Sequence, residues 1–325
     1  MDKKDIFSTL NEKRIFLTGA TGFIGSYLLR RLIKENCEVH ISVRKNSSLK
    51  RIKDVISNCA CHTLDLTDFN STKNLIKKLK PEIIFNLAAY GVDYRQQDIY
   101  QAINVNINAS VNLLESYIEN EGVRFIHTGT SLEYGDKNNP ISENEIPQPE
   151  NIYGITKFTS VQLLSFMAKQ ATKQGNLIIL RPFGVFGEFE GRHKFFPQII
   201  DKLGRRESVK LTEGEQIRDY IYIDDLIDAY IKSAVVPLTL GNNVEIINIG
   251  SGKGISIKKI ALKIASQLGA DKDLLKFGTL PYRTNETMYS VANIRKAKKI
   301  LNWKPKTSLK EGLKNMIRKY QKKEA

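Results

Sequence analysis

The feature that most constrains the fold is a glycine-rich turn between a short apolar strand and an amphipathic helix. The predicted strand Arg14–Thr18 leads into Gly19-Ala20-Thr21-Gly22-Phe23-Ile24-Gly25, after which Ile24, Leu28 and Leu32 share one helical face. Glycines at such a turn let the backbone pass close to an anion, and the helix N-terminus offers it free N–H groups and a positive dipole end. The spacing G-x-x-G-x-x-G, placed after a first strand, therefore predicts a dinucleotide pyrophosphate site.

Strands and helices alternate through the first half of the chain. A helical stripe of apolar residues spans 103–118, and a second helical stretch runs from about 153 to 173. This alternation predicts an α/β fold with a doubly wound, parallel (Rossmann) sheet and right-handed crossovers. The predicted strands are Arg14–Thr18, Glu38–Val43, Cys61–Leu66, Glu82–Leu87, Val123–Thr128 and Asn176–Leu180.

Regularity weakens after Arg181, which suggests a second, smaller unit. We expect residues 1–180 to form the dinucleotide-binding domain, with 221–250 returning to it. Residues 181–325 would then form mainly an interleaved α/β substrate-binding domain. The elements predicted there are helices near Phe196–Leu203, from Asp224, at Ile257–Leu268 and at Leu309–Tyr320, and strands at Asp219–Ile223 and Glu245–Ile249.

Composition excludes several classes of protein. No apolar run approaches the ~20 residues that cross a bilayer, and three cysteines are too few for a disulfide framework or a zinc site. We therefore expect a cytoplasmic protein with no membrane segment and no metal. Most of the net charge of +15 comes from residues 295–325, which hold 12 basic and 2 acidic residues. A solvated helix face explains this excess, although attraction of an anionic substrate, of nucleic acid or of a membrane is an alternative. No aromatic-basic pattern accompanies it, so we expect no nucleic-acid partner.

The residue after the second strand indicates the cofactor. An acidic residue there binds a free ribose 2′-hydroxyl, whereas a 2′-phosphate favours Arg. In this chain Glu38–Val43 is followed by Arg44 and no nearby carboxylate, and a forked cationic donor suits a phosphate. This favours NADP(H). NAD stays possible if Arg44 is only an exposed loop cation.

A candidate catalytic pair lies at Tyr153 and Lys157, which share one face if their segment is helical. A phenol with a pKa of ~10 is protonated at neutral pH, and a neighbouring ammonium with an oxidised nicotinamide favours the phenolate. The same tyrosine can thus serve as acid or base. The pattern Y-x-x-x-K is common by chance, but here it follows a complete cofactor-binding half.

On these features the chain resembles the extended short-chain dehydrogenase/reductases, in the nucleotide-sugar epimerase/dehydratase group, over nearly its whole length. The resemblance implies that Tyr153 and Lys157 are catalytic and contact the cofactor. Tyr153 would move the proton of the substrate hydroxyl, Lys157 would bind the nicotinamide ribose and tune Tyr153, and the Thr130 hydroxyl would bind the substrate oxygen. It also assigns to the cofactor site a set of residues carried by three further motifs: Asp65, Leu66, Leu87, Ala88, Ala89 and Asn106.

The second half resembles the family at Arg181–Gly187 and at Gln216–Asp225. The resemblance implies that Arg218 binds the substrate pyrophosphate, with Arg283 as a second candidate unless it is a surface residue. Two residues depart from the family pattern. Gly184 stands where the family has Asn, and Glu188 stands where it has Pro, which leaves the substrate contacts open.

Three reactions share this machinery in the family: reduction, epimerisation and 4,6-dehydration. The family's dehydratases carry Asp-Glu after the Thr, whereas this chain has Ser131 and Leu132. The preference for NADP and the segment Leu280–Glu286, which resembles deoxysugar 4-ketoreductases, favour reduction of a nucleotide-linked 4-keto-(6-deoxy)sugar. A nucleotide-sugar 4-epimerase is the alternative.

A hypothesis of another class is a non-catalytic NADP-binding regulator or an RNA-binding relative, motivated by the basic C-terminal end. The intact Thr130, Tyr153 and Lys157 argue against it. By resemblance we also expect a homodimer, formed through helices at about 100–119 and 153–173.

Overall fold

The structure, a computed structural model, describes residues 10–120, 122–171, 176–237 and 244–321. The strands of its largest sheet are, in chain order, β1 (Arg14–Thr18), β2 (Glu38–Val43), β3 (Ala60–Thr63), β4 (Ile83–Asn86), β5 (Arg124–Thr128), β6 (Leu177–Pro182) and β10 (Val244–Ile249). Across the sheet they follow the order β10-β6-β5-β4-β1-β2-β3, and every neighbouring pair is parallel. The predicted doubly wound parallel sheet is therefore confirmed.

Helices cover both faces of this sheet. Alternate residues of β1 point to opposite faces, so that Ile15 and Leu17 pack in one core and Phe16 in the other. No helix among the described residues is long and apolar enough to span a membrane. The helices are α1 (Phe23–Lys34), α2 (Phe69–Leu79), α3 (Ile99–Ala102), α4 (Ala109–Glu119), α5 (Ile152–Gln170), α6 (Phe195–Gly204), α7 (Ile223–Val235), α8 (Ile257–Leu268), α9 (Arg295–Leu301) and α10 (Leu309–Gln321).

Short non-α turns interrupt this pattern. A π-helical turn, Ile103–Asn108, joins α3 to α4, and 3-10 turns lie at Ile56–Asn58, Ser131–Glu133 and Lys272–Leu274. A smaller sheet is centred on β9 (Ile217–Tyr222), which pairs with three short strands: β7 (Gly184–Phe186), β11 (Gly254–Ser256) and β13 (Tyr289–Ser290). A further pair joins β8 (Val209–Lys210) to β12 (Leu275–Lys276). Because β10 pairs with β6 of the large sheet, the chain passes between the two sheets more than once. The domain limits remain a prediction.

The predicted end of the third strand was wrong by three residues, whereas the bounds of the other predicted strands differ from the structure by two residues or fewer. The third strand ends at Thr63, not at residue 66, because Asp65 turns the chain by accepting the Thr67 N–H at 3.0 Å. Asp68 then caps α2 by accepting the Ser71 N–H at 3.0 Å. The polar helix α2 was not predicted. Neither were the strands of two or three residues, which are too short to show a period.

The C-terminal segment is fastened to α7 by buried hydrogen bonds. Trp303 donates its Nε1–H to the Asp225 carbonyl oxygen at 3.0 Å. The Asp225 carboxylate accepts the backbone N–H groups of Lys306 at 3.0 Å and Thr307 at 2.8 Å. Asp225 is only 4% exposed, so these bonds lie out of water. One carboxylate therefore holds the chain between α9 and α10.

We expect Asp225→Ala to lower the free energy of unfolding by about 2 kcal/mol or more, because two backbone N–H groups lose their partner. Urea unfolding followed by circular dichroism measures this. Asp228→Ala is the matched control, since Asp228 forms partly exposed ion pairs with Arg31 and Lys306, and such pairs are worth about 1 kcal/mol or less. Equal unfolding midpoints for the two variants would contradict the role given to Asp225.

Candidate active site

The glycine turn is shaped to hold an anion. Gly19 adopts a left-handed φ of 69°, and a Cβ there would lie 2.7 Å from the Leu87 carbonyl group. A Cβ on Gly25 would lie 2.1 Å from the Gly19 carbonyl oxygen. The turn thus fits only glycine at both positions, and it brings the start of α1 against the end of β4. The first N–H groups of α1, at Phe23 and Ile24, have no acceptor within the helix. The structure therefore fits a bound pyrophosphate.

The segment that follows β4 is fixed against this turn. The Thr18 hydroxyl accepts the backbone N–H groups of Leu87 and Ala88, each at 3.0 Å. Thr18 is the last residue of β1 and pairs in parallel register with Asn86, the last residue of β4. As a result, the predicted cofactor segment through Ala89 begins beside the predicted pyrophosphate turn.

The far end of the same segment reaches Tyr153. Asn106, buried in the π-helical turn, accepts the Tyr90 N–H at 2.8 Å and donates to the Tyr90 carbonyl at 2.9 Å. It also donates to the Thr156 hydroxyl of α5 at 2.8 Å. A Cβ on Gly91 would lie 3.3 Å from the Tyr153 Cβ. Asn106 therefore fixes the chain at Tyr90, and its direct contact with the cofactor remains a prediction.

Thr130 starts a 3-10 turn that packs on α5. Its hydroxyl accepts the Leu132 N–H at 3.3 Å, and its own N–H donates to the Glu133 carboxylate at 2.8 Å. A Cβ on Gly154 would lie 2.6 Å from the Leu132 carbonyl oxygen, so the turn and the first turn of α5 are in direct contact. Thr130 therefore lies on a turn that contacts α5, the helix that carries Tyr153 and Lys157.

Glu133 was not predicted as a site residue. Its carboxylate is fully buried and lies 2.6 Å from the Arg181 Nη2. Arg181 also donates to the Tyr134 hydroxyl at 2.7 Å. Burial raises the pKa of Glu133, while the Arg181 charge and the Thr130 N–H oppose that rise. The Glu133 carboxylate of this buried ion pair holds the backbone N–H of Thr130.

Tyr153 and Lys157 lie on α5 as expected. Burial raises the pKa of Tyr153, and the nearby Glu133 charge raises it further, so the phenol is kept protonated. Burial lowers the pKa of Lys157 to about 8, against the opposing charge of Glu133. The Lys157 Nζ lies 3.0 Å from Nε2 of His127, a residue that the sequence reasoning missed. The phenol of this pair therefore holds its proton at neutral pH, whereas the amine exchanges its proton near pH 8.

Two arginines lie at the expected adenosine end. Arg44 is exposed, and among the described residues its guanidinium has no ion pair. Its backbone N–H donates to the Ser47 hydroxyl at 3.0 Å. Arg51, not predicted, donates from Nε to the Phe189 carbonyl at 2.9 Å, and its Nη1 lies 3.5 Å from the Thr21 carbonyl oxygen. Both guanidinium groups are on the loop that follows β2.

Asp65 and Leu66 occupy the turn after β3. The Asp65 carboxylate accepts the Thr67 hydroxyl at 2.8 Å, and the Leu66 carbonyl accepts the Asn112 side-chain amide at 3.1 Å. The first bond closes the turn, and the second fixes it to α4. Contact of either residue with an adenine ring remains a prediction.

The two arginines expected at the substrate are held by other partners. Arg218 forms an ion pair with Glu286 at 2.9 Å and donates to the Thr287 carbonyl. The Arg283 guanidinium lies 4.8 Å from the centroid of the Tyr94 ring, which belongs to the loop continuing from Gly91. The segment 283–287 thus contacts both Arg218 and the loop that carries Tyr94.

The two departures from the family pattern have local causes. A Cβ on Gly184 would lie 2.6 Å from the Tyr220 ring, so an Asn side chain has no room there. The Glu188 carboxylate accepts hydroxyl groups from Tyr27 of α1 at 2.8 Å and from Tyr222 of β9 at 3.0 Å. Glu188 thus joins the cofactor helix to the smaller sheet.

The site and fold agree with known proteins. Residues 15–250 match the model of the NAD dependent epimerase/dehydratase family. The chain is 27% identical to CDP-abequose synthase of Salmonella typhimurium over 318 residues, 96% of this chain and 99% of that protein. It is 32% identical to CDP-abequose synthase of Yersinia pseudotuberculosis over 68% of this chain and 74% of that one. The crystal structure of a UDP-glucose 4-epimerase with UDP-glucose from Thermotoga maritima is 28% identical, with a TM-score of 0.86, covering 96% of this chain and 99% of that chain.

The protein belongs to the NAD dependent epimerase/dehydratase family and is an NAD(P)-dependent enzyme. The extended short-chain dehydrogenase/reductase resemblance is confirmed. Its glycine turn and the free N-terminus of α1 fit the dinucleotide, which, when bound, supplies or accepts a hydride.

We expect Gly25→Ala to weaken NADPH binding by more than about tenfold, the equivalent of one lost charge-assisted hydrogen bond. The added methyl overlaps the Gly19 carbonyl and forces the turn open. Titration of bound NADPH by fluorescence measures this, with thermal unfolding as a check on folding. Gly204→Ala is the matched control, because a Cβ there meets no atom within 4 Å. Unchanged binding in Gly25→Ala would contradict the placement of the pyrophosphate.

Proposed function

We propose that the protein is an NADPH-dependent reductase of a nucleotide-linked 4-keto-(6-deoxy)sugar. The observation that carries this proposal is the fixed segment 87–91, which begins at the glycine turn and ends against Tyr153. The relatives give further support. They include the two CDP-abequose synthases and the dTDP-4-dehydro-6-deoxyglucose reductase of Escherichia coli, which is 26% identical over 94% of this chain and 96% of that protein.

In the proposed reaction the protein's own groups manage a proton and an oxygen. Tyr153 donates its phenolic proton to the ketone oxygen, and the raised pKa keeps that proton available at neutral pH. The ammonium form of Lys157 stabilises the phenolate that is left. The Thr130 hydroxyl donates a hydrogen bond to the same substrate oxygen and orients it.

The cofactor is proposed to extend from the loop after β2, across the glycine turn and along the segment 87–91 to Tyr153. The glycine turn would hold the pyrophosphate, and Arg44, with Arg51 beside it, would bind the 2′-phosphate. At the other end of the substrate, Arg218 and Arg283 would bind the substrate diphosphate by exchanging their present partners. Asp65-Leu66 and Leu87-Ala88-Ala89 would border the adenine and the nicotinamide half, respectively.

Dehydration is disfavoured by the residues after Thr130. Ser131 and Leu132 carry no acid or base, and the next carboxylate, Glu133, is held by Arg181 and by the Thr130 N–H. This carboxylate is fully buried and engaged in an ion pair, which disfavours its use in a second proton transfer. Epimerisation remains the second candidate, because a UDP-glucose 4-epimerase of known structure shares 28% identity with the chain.

A non-catalytic regulator or RNA-binding role finds less support. Nearly all of the basic excess at 295–325 lies on and around α9 and α10, which are amphipathic and pack on the core through Leu301, Leu313 and Ile317. Because Tyr153, Lys157 and Thr130 are assembled around one region, a catalytic role explains more of the site.

We also propose that the enzyme is a homodimer. Apolar side chains of α3, α5 and the π-helical turn are exposed, among them Ile99 at 54% and Phe166 at 62%. Exposed apolar groups on neighbouring helices favour association with another protein surface. A second copy of the same helices would cover them, as the family resemblance implies.

The proposed cofactor preference predicts that NADPH binds more tightly than NADH and that Arg44→Ala removes most of the difference. A charge-assisted contact to phosphate is worth about 1.5–3 kcal/mol, or roughly tenfold to a hundredfold in affinity. Calorimetric titration with both cofactors measures this. Lys45→Ala is a control for general charge on the same loop. Equal affinities in the unmodified protein would refute the NADP preference.

One assay tests the reaction. With a nucleotide-linked 4-keto-6-deoxysugar, the enzyme should consume NADPH in proportion to the ketone, as followed by absorbance and product NMR. Tyr153→Phe should bind NADPH but turn over at least about 100-fold more slowly. Interconversion of 4-hydroxy epimers at constant absorbance would transfer the assignment to an epimerase. Elimination of water would overturn the argument from Ser131 and Leu132.

A further inference from the structure

Behind Lys157 lies a line of buried polar side chains that the proposed mechanism does not use. The Thr18 hydroxyl lies 2.8 Å from Asn86 Oδ1, and Asn86 Nδ2 lies 3.2 Å from His127 Nδ1. His127 Nε2 in turn lies 3.0 Å from the Lys157 Nζ. None of the four residues is more than 2% exposed. Each of these groups must therefore find its partners within the line and its immediate neighbours.

The donors and acceptors around the Thr18 hydroxyl determine the direction of its hydrogen bond with Asn86. The hydroxyl oxygen already accepts the N–H groups of Leu87 and Ala88, which use both of its lone pairs. Its single proton must then be donated, and Asn86 Oδ1 is the acceptor at 2.8 Å. Turning the Asn86 amide over would leave that proton without an acceptor. The orientation of the amide is therefore set by the backbone of the cofactor segment.

The second link follows from the first. With its oxygen toward Thr18, Asn86 directs its amide N–H groups at the Ser110 hydroxyl, at 3.1 Å, and at His127 Nδ1. Ser110 passes its own proton to the Asn106 carbonyl at 2.9 Å, so its oxygen is free to accept. Nδ1 of His127 is then an acceptor, and a neutral ring carries its proton on Nε2.

The contact between His127 and Lys157 depends on the protonation state of the lysine. An Nε2–H directed at Nζ across 3.0 Å is accepted by a neutral amine, whereas an ammonium has no lone pair to accept it. Burial lowers the pKa of His127 well below its usual value, and the Lys157 charge lowers it further, so the ring is neutral. The other ionisable groups near the amine are Tyr153, on the same helix, and Glu133, which is paired with Arg181.

We infer that His127 is a positioning residue for Lys157, held as the Nε2–H tautomer by Thr18 and Asn86, so that it favours the neutral amine over the ammonium. An ammonium, once formed, finds no acceptor at His127. The consequence for catalysis rests on the proposed function of Lys157. The tautomer of His127 follows from the hydrogen bonds of Thr18 and Asn86 and is independent of that function.

The tautomer can be read directly by nitrogen NMR of the ¹⁵N-histidine-labelled full-length protein without cofactor. The chain has four histidines, so His127→Gln identifies the signal. At about pH 9, above the lysine pKa of about 8, we expect His127 as Nε2–H. A proton on Nδ1, or an imidazolium, would overturn the inference.

The variant Asn86→Asp keeps the shape of the side chain but replaces the amide donor that faces His127 Nδ1 with a carboxylate acceptor. A carboxylate facing Nδ1 accepts its N–H, so the ring should switch to the Nδ1–H tautomer and present Nε2 as an acceptor to the Lys157 ammonium. The pKa of Lys157 should then rise. Since reduction requires the ammonium, kcat/KM falls as pH rises through that pKa, and the fall should move up by about one pH unit. Ser110→Ala is the matched control, because it leaves the line from Thr18 to His127 intact.

The outcomes separate the two ideas. A switched tautomer with a shifted pH profile supports both. A switched tautomer with an unshifted profile supports the role of Asn86 and removes Lys157 from the proposed reaction. An unswitched tautomer in folded Asn86→Asp, checked by circular dichroism, overturns the inference. If that variant fails to fold, the tautomer of the unmodified protein still decides the matter.

Discussion

The carboxyl ends of β1 and β4 are joined through the hydroxyl of Thr18, and the rest of the site is built outward from that contact. Parallel register places Thr18 opposite Asn86, so the chain leaves both strands at the same edge of the sheet. One branch becomes the glycine turn, and the other becomes the segment that Thr18 and Asn106 hold at its two ends. Because bound groups in open α/β sheets lie outside this edge, the register of two strands sets where a dinucleotide can lie.

A buried charge pair performs the same task one strand further on. Glu133 follows β5 and Arg181 lies in β6, so their contact joins two more carboxyl ends and holds the turn of Thr130 between them. Such a pair contributes little net stability, yet losing one partner leaves a buried charge and is very costly. Its value here is positional. It also brings a negative charge near Tyr153 and Lys157, which acts on both proton equilibria.

The sequence was informative where function is carried by local pattern. The glycine turn and the pair at Tyr153 and Lys157 depend on spacing within a few residues, so they could be found without a structure. His127, Glu133 and Arg51 could not, because their roles arise from contacts with residues far along the chain. In the sequence, nothing distinguishes His127 from the other residues of its predicted strand. The polar helix α2 was missed for a related reason, since few of its residues are apolar, and its Asp68 cap and its packing stabilise it.

The groups proposed for chemistry and those proposed for substrate binding are held by different kinds of contact. Thr130 and Lys157 are fixed by buried hydrogen bonds and ion pairs, which exchange only at high cost. Arg218, by contrast, is paired with Glu286 on a connecting segment, with both side chains about one-fifth exposed. A partly solvated pair of this kind is weak, so a diphosphate with more than one charge can displace the single carboxylate. If Arg218 binds the substrate diphosphate as proposed, change in the segment 283–287 would alter which nucleotide sugar is accepted, while the contacts that hold Thr130 and Lys157 stay as they are.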